Sequence, residues 1–186
     1  MLKYIKLRKN HLKLIIKWRT MSHVTKYMFT DVEKDFEKHK KWMNDVLNKE
    51  NCKYWLISYC GENIGLVYLF KIDYINKRCT TGYYIGAKEF IGRGAVFLPP
   101  VYDYVFNKLK LNKIYGEVLD GNDLILGIHK YHGWRKVGTY NNHIYKSGKY
   151  HDVHLIELLN SDWTKFRKKN IRHSNKLVDM SDELFE

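Results

Sequence analysis

The 186-residue sequence has few cysteines and prolines and no long apolar run. Its three cysteines, Cys52, Cys60 and Cys79, lack C-x-x-C spacing, so we expect free thiols in a reducing cytosol and no metal site. No stretch of about 20 apolar residues is present, which argues against a membrane-spanning helix. The first ten residues show no apolar core and no small-residue cleavage site, so we expect no signal peptide and a cytoplasmic protein.

Acidic residues are missing from the first part of the chain. No Asp or Glu occurs between Met1 and Lys26, and the formal net charge of the whole chain is +13. A second basic cluster lies between Lys165 and Lys176. Such a field attracts nucleic acid, CoA phosphates, nucleotide sugars or acidic membranes, although a lysine-rich solvated face is an equally common reason for it. No zinc finger, basic zipper or RNP motif is present, so nucleic acid is not the expected partner.

A hydrophobic content of 45%, with 15% aromatic residues, indicates one folded domain with a substantial core. Alternating and β-branched segments predict strands over 2–8, 53–59, 64–72, 79–85, 113–119, 134–140 and 150–158. Helices are predicted after Asn10, over 31–49, from a glycine turn to about Lys110, over 123–131 and from Asp162. This order predicts an α+β domain around one mixed, mostly antiparallel sheet. We expect the domain to span 1–163, with 164–186 as a polar helix or tail.

The glycine turn E-F-I-G-R-G-A, residues 89–95, opens one of these helices. Gly92 and Gly94 allow the backbone to approach a ligand closely, and the free N–H groups of a first helical turn favour phosphate. Arg93 adds a positive charge. The pattern is neither G-x-G-x-x-G nor a Walker loop, so NAD and ATP are not supported, and a simple loop stays an alternative. Pro99-Pro100 predicts a bend in the helix, or a helix that begins near Pro99.

The glycine turn, the strand N-K-I-Y-G-E-V-L (112–119) and the segment I-H-K-Y-H-G-W (128–134) together resemble the GCN5-related N-acetyltransferase (GNAT) superfamily. The resemblance covers Leu2 to about Trp163. It implies a sheet of six to seven strands flanked by helices, with a V-shaped splay between the fourth and fifth strands. It also implies acetyl-CoA as the co-substrate, no metal, and N-acetyl transfer as the reaction.

The segments W-R-T (18–20), K-Y-M-F-T (26–30) and H-I-Y-K-S-G-K-Y-H-D-V (143–153) resemble one branch of that superfamily more closely. This branch acetylates the 4-amino group of UDP-linked aminosugars in pseudaminic acid biosynthesis. The resemblance therefore implies a nucleotide-aminosugar acceptor whose amine attacks acetyl-CoA directly in a ternary complex. It leaves a homodimer open.

The resemblance also implies roles for individual residues. Glu117 would be the general base and His129 the general acid, although His129 stands where the superfamily has a tyrosine. Acetyl-CoA would be bound by Ile85, Ala87, Ile91, Gly92, Arg93, Gly94, Ala95 and Asn122. The acceptor would contact Arg19, Lys26, Met28, Tyr83, His143, Lys146 and Tyr150. From the residues alone, Glu117 could instead form a strand-edge salt bridge, His129 could complement a helix dipole, and Asn122 could cap a helix.

Two other functions remain open from the sequence. A protein or small-amine acetyltransferase would share the glycine turn and the strand, but polyamines and basic peptides would have to approach a chain of charge +13. A non-catalytic CoA- or nucleic-acid-binding module is the third alternative, and the presence of both Glu117 and His129 argues against it.

Overall fold

The computed structural model describes residues 2–30 and 35–169. Within these ranges seven strands form one sheet, in the order β1-β2-β3-β4-β5-β7-β6. The strands are β1 (Leu2–Lys6), β2 (Lys53–Tyr59), β3 (Glu62–Asp73), β4 (Arg78–Ile85), β5 (Lys113–Leu119), β6 (Arg135–Lys146) and β7 (Lys149–Leu159). The helices are α1 (Leu12–Arg19), α2 (Ser22–Thr25), α3 (Phe36–Leu47), α4 (Gly94–Phe97), α5 (Pro99–Asp103), α6 (Asp123–Tyr131) and α7 (Asn160–Lys169). The predicted α+β class and strand number are confirmed.

Strands β4 and β5 form the one parallel pair of this described sheet, and they pair over only part of their length. Residues 78–80 of β4 pair with residues 113–115 of β5. Beyond these residues β4 continues to Ile85 and β5 to Leu119, but the two strands no longer pair with each other. The two strands therefore diverge. This divergence is the V-shaped splay that the sequence predicted between the fourth and fifth strands, and we call the opening the cleft.

Side-chain alternation along β4 assigns its residues to opposite faces of the sheet. Tyr83 and Ile85 pack in a core that includes residues of α5 and α6. Tyr84 packs in the second core, with Ile15 of α1 and Met43 of α3. We call these the α4–α6 face and the α1–α3 face. The cleft is the place where a ligand on one face can meet a ligand on the other.

The proline pair divides the helix after the glycine turn, as the sequence predicted. Helix α4 is a single turn, and α5 begins at Pro99 with prolines in its first two positions, where a missing N–H costs little. A π-helical turn, Tyr104–Lys108, continues the segment. The first turn after Gly94 is therefore kept, although a long straight helix is not.

The hairpin near the end of the described chain differs from the sequence prediction, and the predicted domain boundary stays untested. The β6–β7 hairpin is longer than predicted, because Ser147 and Gly148 form a two-residue turn with φ values of 51° and 79°. The predicted boundary at residue 163 falls inside α7, and the division of the chain at that point stays a prediction. Residues 170–186 and the predicted start of a helix at Asp31 lie outside the described residues.

The start of α7 is fixed to α5 by a buried carboxylate. Asp103 is 5% exposed, and its Oδ1 accepts hydrogen bonds of 2.8 Å from both Trp163 Nε1 and Arg167 Nη1. Burial raises the pKa of the Asp103 carboxyl, while the Trp163 hydrogen bond and the Arg167 charge lower it. This contact holds α7 against the α4–α6 face.

Candidate active site

Glu117 lies on β5 inside the cleft. The last β4–β5 pair is Thr80 with Tyr115, so Glu117 comes after the point of divergence, and its side chain is exposed. Because Thr80, Gly82 and Tyr84 alternate with the opposite set along β4, Tyr115 and Glu117 share the face of Tyr84. A carboxylate is therefore held at the cleft on the α1–α3 face.

The glycine turn offers backbone donors at the start of α4. Gly94 and Ala95 are the first two residues of α4, and the N–H groups at such positions have no acceptor within the helix. The N–H groups of Ile91 and Arg93 are already used, donating to Lys88 and Phe90 carbonyls at 3.2 Å each. Gly92 has a φ of 87°, which glycine adopts without strain.

The end of β4 presents backbone groups to the cleft. Gly86 N–H donates to the Ile64 carbonyl of β3. Because the backbone N–H and C=O groups of successive residues in a strand point to opposite edges, those of Ile85 point away from β3 and towards the cleft. The Ile85 carbonyl lies 3.2 Å from His23 Nε2 of α2. Ala87, the other predicted contact of the pantetheine arm, donates its N–H to Ile64 and accepts from Phe90 N–H. The sequence analysis missed His23, and its neighbours gave no motif that would have singled it out.

Tyr83, predicted as an acceptor contact, lies on the α4–α6 face with the glycine turn. Its hydroxyl is buried without a hydrogen-bond partner among the described residues, and it touches Gly94 closely. Burial raises the pKa of the Tyr83 hydroxyl. Tyr83 therefore lies on the same face as the glycine turn, opposite the face of Tyr84, and its contact with the acceptor stays a prediction.

His129 is packed into the α4–α6 core from helix α6. It is 7% exposed, its Nδ1 lies 3.3 Å from the Tyr102 hydroxyl, and its ring centroid is 4.5 Å from that of Trp134. Burial, with a smaller contribution from His132, lowers the pKa of His129 to about 3. The imidazole is therefore neutral near pH 7, so it can hydrogen-bond a sulfur atom but carries no acidic imidazolium proton.

His132, for which the sequence analysis proposed no role, contacts the glycine turn directly. It is 1% exposed, and its Nε2 lies 3.0 Å from the Ala95 carbonyl. Burial lowers its pKa to about 4, against the raising effect of the Ala95 hydrogen bond. Asn122 is the N-cap residue of α6, but its side chain accepts no capping hydrogen bond, so the structure does not support the helix-cap alternative for this residue.

A cavity of about 150 Å³ opens on the α1–α3 face. Two predicted acceptor contacts, Arg19 and Met28, line it; the other lining residues are Trp42, Tyr54, Leu66, Tyr68, Phe70 and Tyr84. The sequence analysis missed the aromatic walls, because these residues also fit the ordinary core pattern of strands and a helix. The Arg19 guanidinium lies 5.2 Å from the centroid of the Trp42 ring.

The other predicted acceptor contacts are dispersed. Lys26, His143 and Tyr150 are exposed, and His143 and Tyr150 lie on the β6–β7 hairpin, where they contact the rings of neighbouring tyrosines. Lys146 is 8% exposed and its ammonium donates to two backbone carbonyls. These four residues therefore do not converge on the cavity as a group.

The fold and the cleft agree with comparisons to known proteins. A family model described as an acetyltransferase (GNAT) domain matches residues 5–155, and the chain belongs to this family. It is an N-acetyltransferase with acetyl-CoA as its acetyl donor. No helix of residues 2–30 and 35–169 is long and apolar enough to cross a membrane, and no cluster of three or more His, Cys, Asp or Glu in this part could hold a metal.

The names of individual relatives differ. Acetyltransferase PseH of Campylobacter jejuni serotype O:2 is 28% identical over 130 residues, covering 68% of this chain and 78% of PseH. YdaF of Bacillus subtilis, named as a ribosomal N-acetyltransferase, is 29% identical over 107 residues, covering 56% of this chain and 58% of YdaF. The crystal structure of spermidine N-acetyltransferase from Vibrio cholerae with CoA and spermine superimposes with a TM-score of 0.81 at 24% identity, over 88% of this chain and 98% of that chain. The last comparison shows the shared fold.

Proposed function

We propose that this N-acetyltransferase acetylates the 4-amino group of a UDP-linked aminosugar, as in the pseudaminic acid pathway. The observation that carries the proposal is the cavity on the α1–α3 face. Its walls are mainly aromatic, and its one charged lining residue among those described is the cation Arg19. Aromatic faces suit a nucleobase or a sugar ring, and a guanidinium suits a diphosphate.

Two polar atoms of the cavity lining support an anionic or carbonyl-rich ligand. Arg19 Nε and the Tyr84 hydroxyl are buried and find no hydrogen-bond partner among the described residues. Leaving such groups unsatisfied costs about 1–3 kcal/mol each, and a ligand oxygen at this place would remove the cost. Both atoms belong to the face that carries Glu117 at the cleft.

The same cavity disfavours a polyamine acceptor. Spermidine is a polycation, and a pocket that recognises it needs carboxylates or uncharged acceptors. Among the described residues, the charged residue that lines the cavity is Arg19, and the net charge of the whole chain is +13. The name PseH of one relative points to the aminosugar, while the names of two others point to spermidine and to ribosomal substrates.

We assign proton transfer to Glu117 and hydrogen bonding of the departing sulfur to His129. The exposed Glu117 carboxylate would take the proton of the acceptor amine from the α1–α3 side. His129, buried on the α4–α6 side and neutral, would donate a hydrogen bond rather than act as a general acid. The two groups thus approach the cleft from opposite faces. Acetyl-CoA supplies the activated acetyl group.

We assign the binding of acetyl-CoA mainly to the glycine turn. The free N–H groups of Gly94 and Ala95, with the Arg93 charge, would hold its diphosphate. The unpaired edge of β4 near Ile85 would bind the pantetheine arm beside the cleft. Asn122 is retained as a further contact of the cofactor.

A thiol-release assay with acetyl-CoA tests the proposal. The panel contains UDP-linked 4-aminosugars, spermidine and a basic peptide, and we expect the aminosugar to show a kcat/KM at least about 100-fold above the others. Arg19→Met should raise the aminosugar KM, whereas Lys17→Met, an equal charge loss on the exposed side of α1, should not. A higher kcat/KM for spermidine or the peptide would reject the proposal.

A further inference from the structure

The tip of the β6–β7 hairpin extends beyond the rest of the sheet. Strand β7 pairs with β5 only from Val153 onward, whereas β6 and β7 continue to pair up to Lys146 with Lys149. The overhang therefore has no sheet neighbour on the β5 side. Instead, the overhang contacts the segment 21–30, which follows α1 on the α1–α3 face.

Lys146 makes the contact between the overhang and that segment. Its Nζ donates to the Thr25 and Met28 carbonyls, each at 2.7 Å, and the residue is buried. These partners lie 121 and 118 residues away in the chain. Hydrogen bonds from an ammonium are stronger than those between neutral groups, so this contact fixes the relative position of two distant segments.

The carbonyls that Lys146 binds lie at the end of helix α2 and just beyond it. The helix has only four residues and ends at Thr25, whose carbonyl accepts one backbone hydrogen bond, from Met28 N–H, so that Lys146 Nζ is its second donor. A helix this short is not stable by itself. Lys146 acts as a C-terminal cap supplied from another part of the chain, in the way that lysines often bind the last carbonyls of a helix.

The capped segment forms part of the acceptor cavity. Met28, whose carbonyl Lys146 binds, lines the cavity together with Arg19. His23, in the same short helix, contacts the Ile85 carbonyl at the cleft. The position of the segment 21–30 therefore sets both a wall of the cavity and a contact at the end of β4.

We infer that Lys146 is a positioning residue that holds the segment 21–30 over the acceptor cavity and thereby sets acceptor affinity. The ammonium is engaged by protein carbonyls, so it acts through this segment and not by touching the acceptor. The inference rests on the proposed function only for the identity of the acceptor. It predicts an effect on acceptor binding that is separate from acetyl-CoA binding.

Kinetics of two variants and one control test the inference, with the best acceptor of the panel above. Lys146→Met should raise the acceptor KM about tenfold or more, with the KM for acetyl-CoA and the kcat at saturation little changed. Lys146→Arg, which keeps a donor, should recover part of the affinity. Lys149→Met is the matched control, because it removes the same charge from Lys149, the exposed residue that pairs with Lys146 across the hairpin.

Hydrogen exchange of the protein without acceptor provides a second readout. The amides of Thr25, Lys26 and Met28 donate to carbonyls within the segment, at 2.9–3.0 Å. They should exchange faster in Lys146→Met than in Lys149→Met. Faster exchange and a raised KM for an acceptor other than an aminosugar would reject only the proposed function. Unchanged exchange in Lys146→Met, or equal acceptor KM values in the two methionine variants, would overturn the inference.

Discussion

The close contact between Gly94 and Tyr83 gives a quantitative prediction about the glycine turn. An alanine Cβ at position 94 would lie 2.3 Å from the Tyr83 hydroxyl oxygen and 3.0 Å from its Cζ atom. Heavy atoms do not approach to 2.3 Å without displacement, so the ring or the turn must move. Overpacking of this kind costs about 1–3 kcal/mol. Because the N–H of residue 94 belongs to the proposed phosphate site, Gly94→Ala should also raise the KM for acetyl-CoA.

Removal of the Tyr83 hydroxyl should relieve most of this cost. In a Tyr83→Phe background the nearest ring atom is Cζ, at a tight but possible 3.0 Å. Tyr83→Phe alone should be nearly neutral or stabilising, because the hydroxyl it removes is buried without a partner. The double variant should therefore be less destabilised than the sum of the single variants, by about 1 kcal/mol or more.

Urea unfolding of the four proteins in this cycle, with the KM for acetyl-CoA, measures the coupling. Gly127→Ala is the control, because a methyl group added there meets no heavy atom within 4 Å and lies in a helix that alanine favours. If Gly94→Ala costs the same free energy of unfolding with and without the Tyr83 hydroxyl, the steric argument is wrong. An unchanged KM for acetyl-CoA in a destabilised Gly94→Ala would remove the turn from the cofactor site.

Three further predictions concern the cleft and its supports. Glu117→Gln should lower kcat by about 10²–10⁴-fold while acetyl-CoA still binds by calorimetry; a near-normal kcat would exclude a base role. Burial lowers the pKa of His129 from 6.5 to about 3, so below pH 6.5 the unfolded chain takes up a proton that the folded chain does not bind. Between pH 7.5 and pH 5 this residue should therefore contribute a loss of roughly 2 kcal/mol in the free energy of unfolding, in addition to the loss from His132, whose pKa burial also lowers. The total loss measured by urea unfolding should be smaller by about this amount in His129→Gln, and unchanged in the exposed-site control His143→Gln. Asp103→Ala should lower the free energy of unfolding by about 3 kcal/mol or more, because it leaves Trp163 Nε1 and the Arg167 charge without their acceptor; an unchanged urea midpoint would contradict this.

The sheet and the glycine turn could be predicted from sequence because they depend on local signals. Strand alternation, the glycines at 92 and 94, and the proline pair each constrain the backbone within a few residues. The length of the β6–β7 hairpin was underestimated, because exposed residues dominate β6 and hide its alternation. The two-residue turn at Ser147-Gly148 was present in the sequence, but its registration with both strands depends on tertiary pairing.

The roles of single side chains were less predictable, because they depend on which face of the sheet a helix covers. Tyr83 and Tyr84 are adjacent on a predicted strand, so they must face opposite sides of the sheet, but the strand pattern does not show which helices cover which side. Likewise, the charge state of His129 follows from its burial beside Tyr102 and Trp134, which are distant in sequence from each other. Lys146 was predicted to contact the acceptor, and only the folded chain reveals that its ammonium binds Thr25 and Met28.

The alternation of side chains along β4 explains why neighbouring residues of this strand have different surroundings. Tyr83 lies against the glycine turn on the α4–α6 face, and Tyr84 lines the aromatic cavity on the α1–α3 face, so adjacent residues of one strand face the two proposed binding sites. A shift of β4 by one residue would turn the side chains of Tyr83 and Tyr84 to the opposite faces of the sheet. It would also move Gly82 away from the Tyr68 ring and place a residue with a Cβ there, although the ring leaves no room for a Cβ at this position. Gly82 and Gly94 therefore hold the register from opposite faces: one admits Tyr68 and the other Tyr83. The proposed function depends on this register, because it keeps Glu117 on the α1–α3 face while His129 is packed beside Tyr102 and Trp134 on the α4–α6 face.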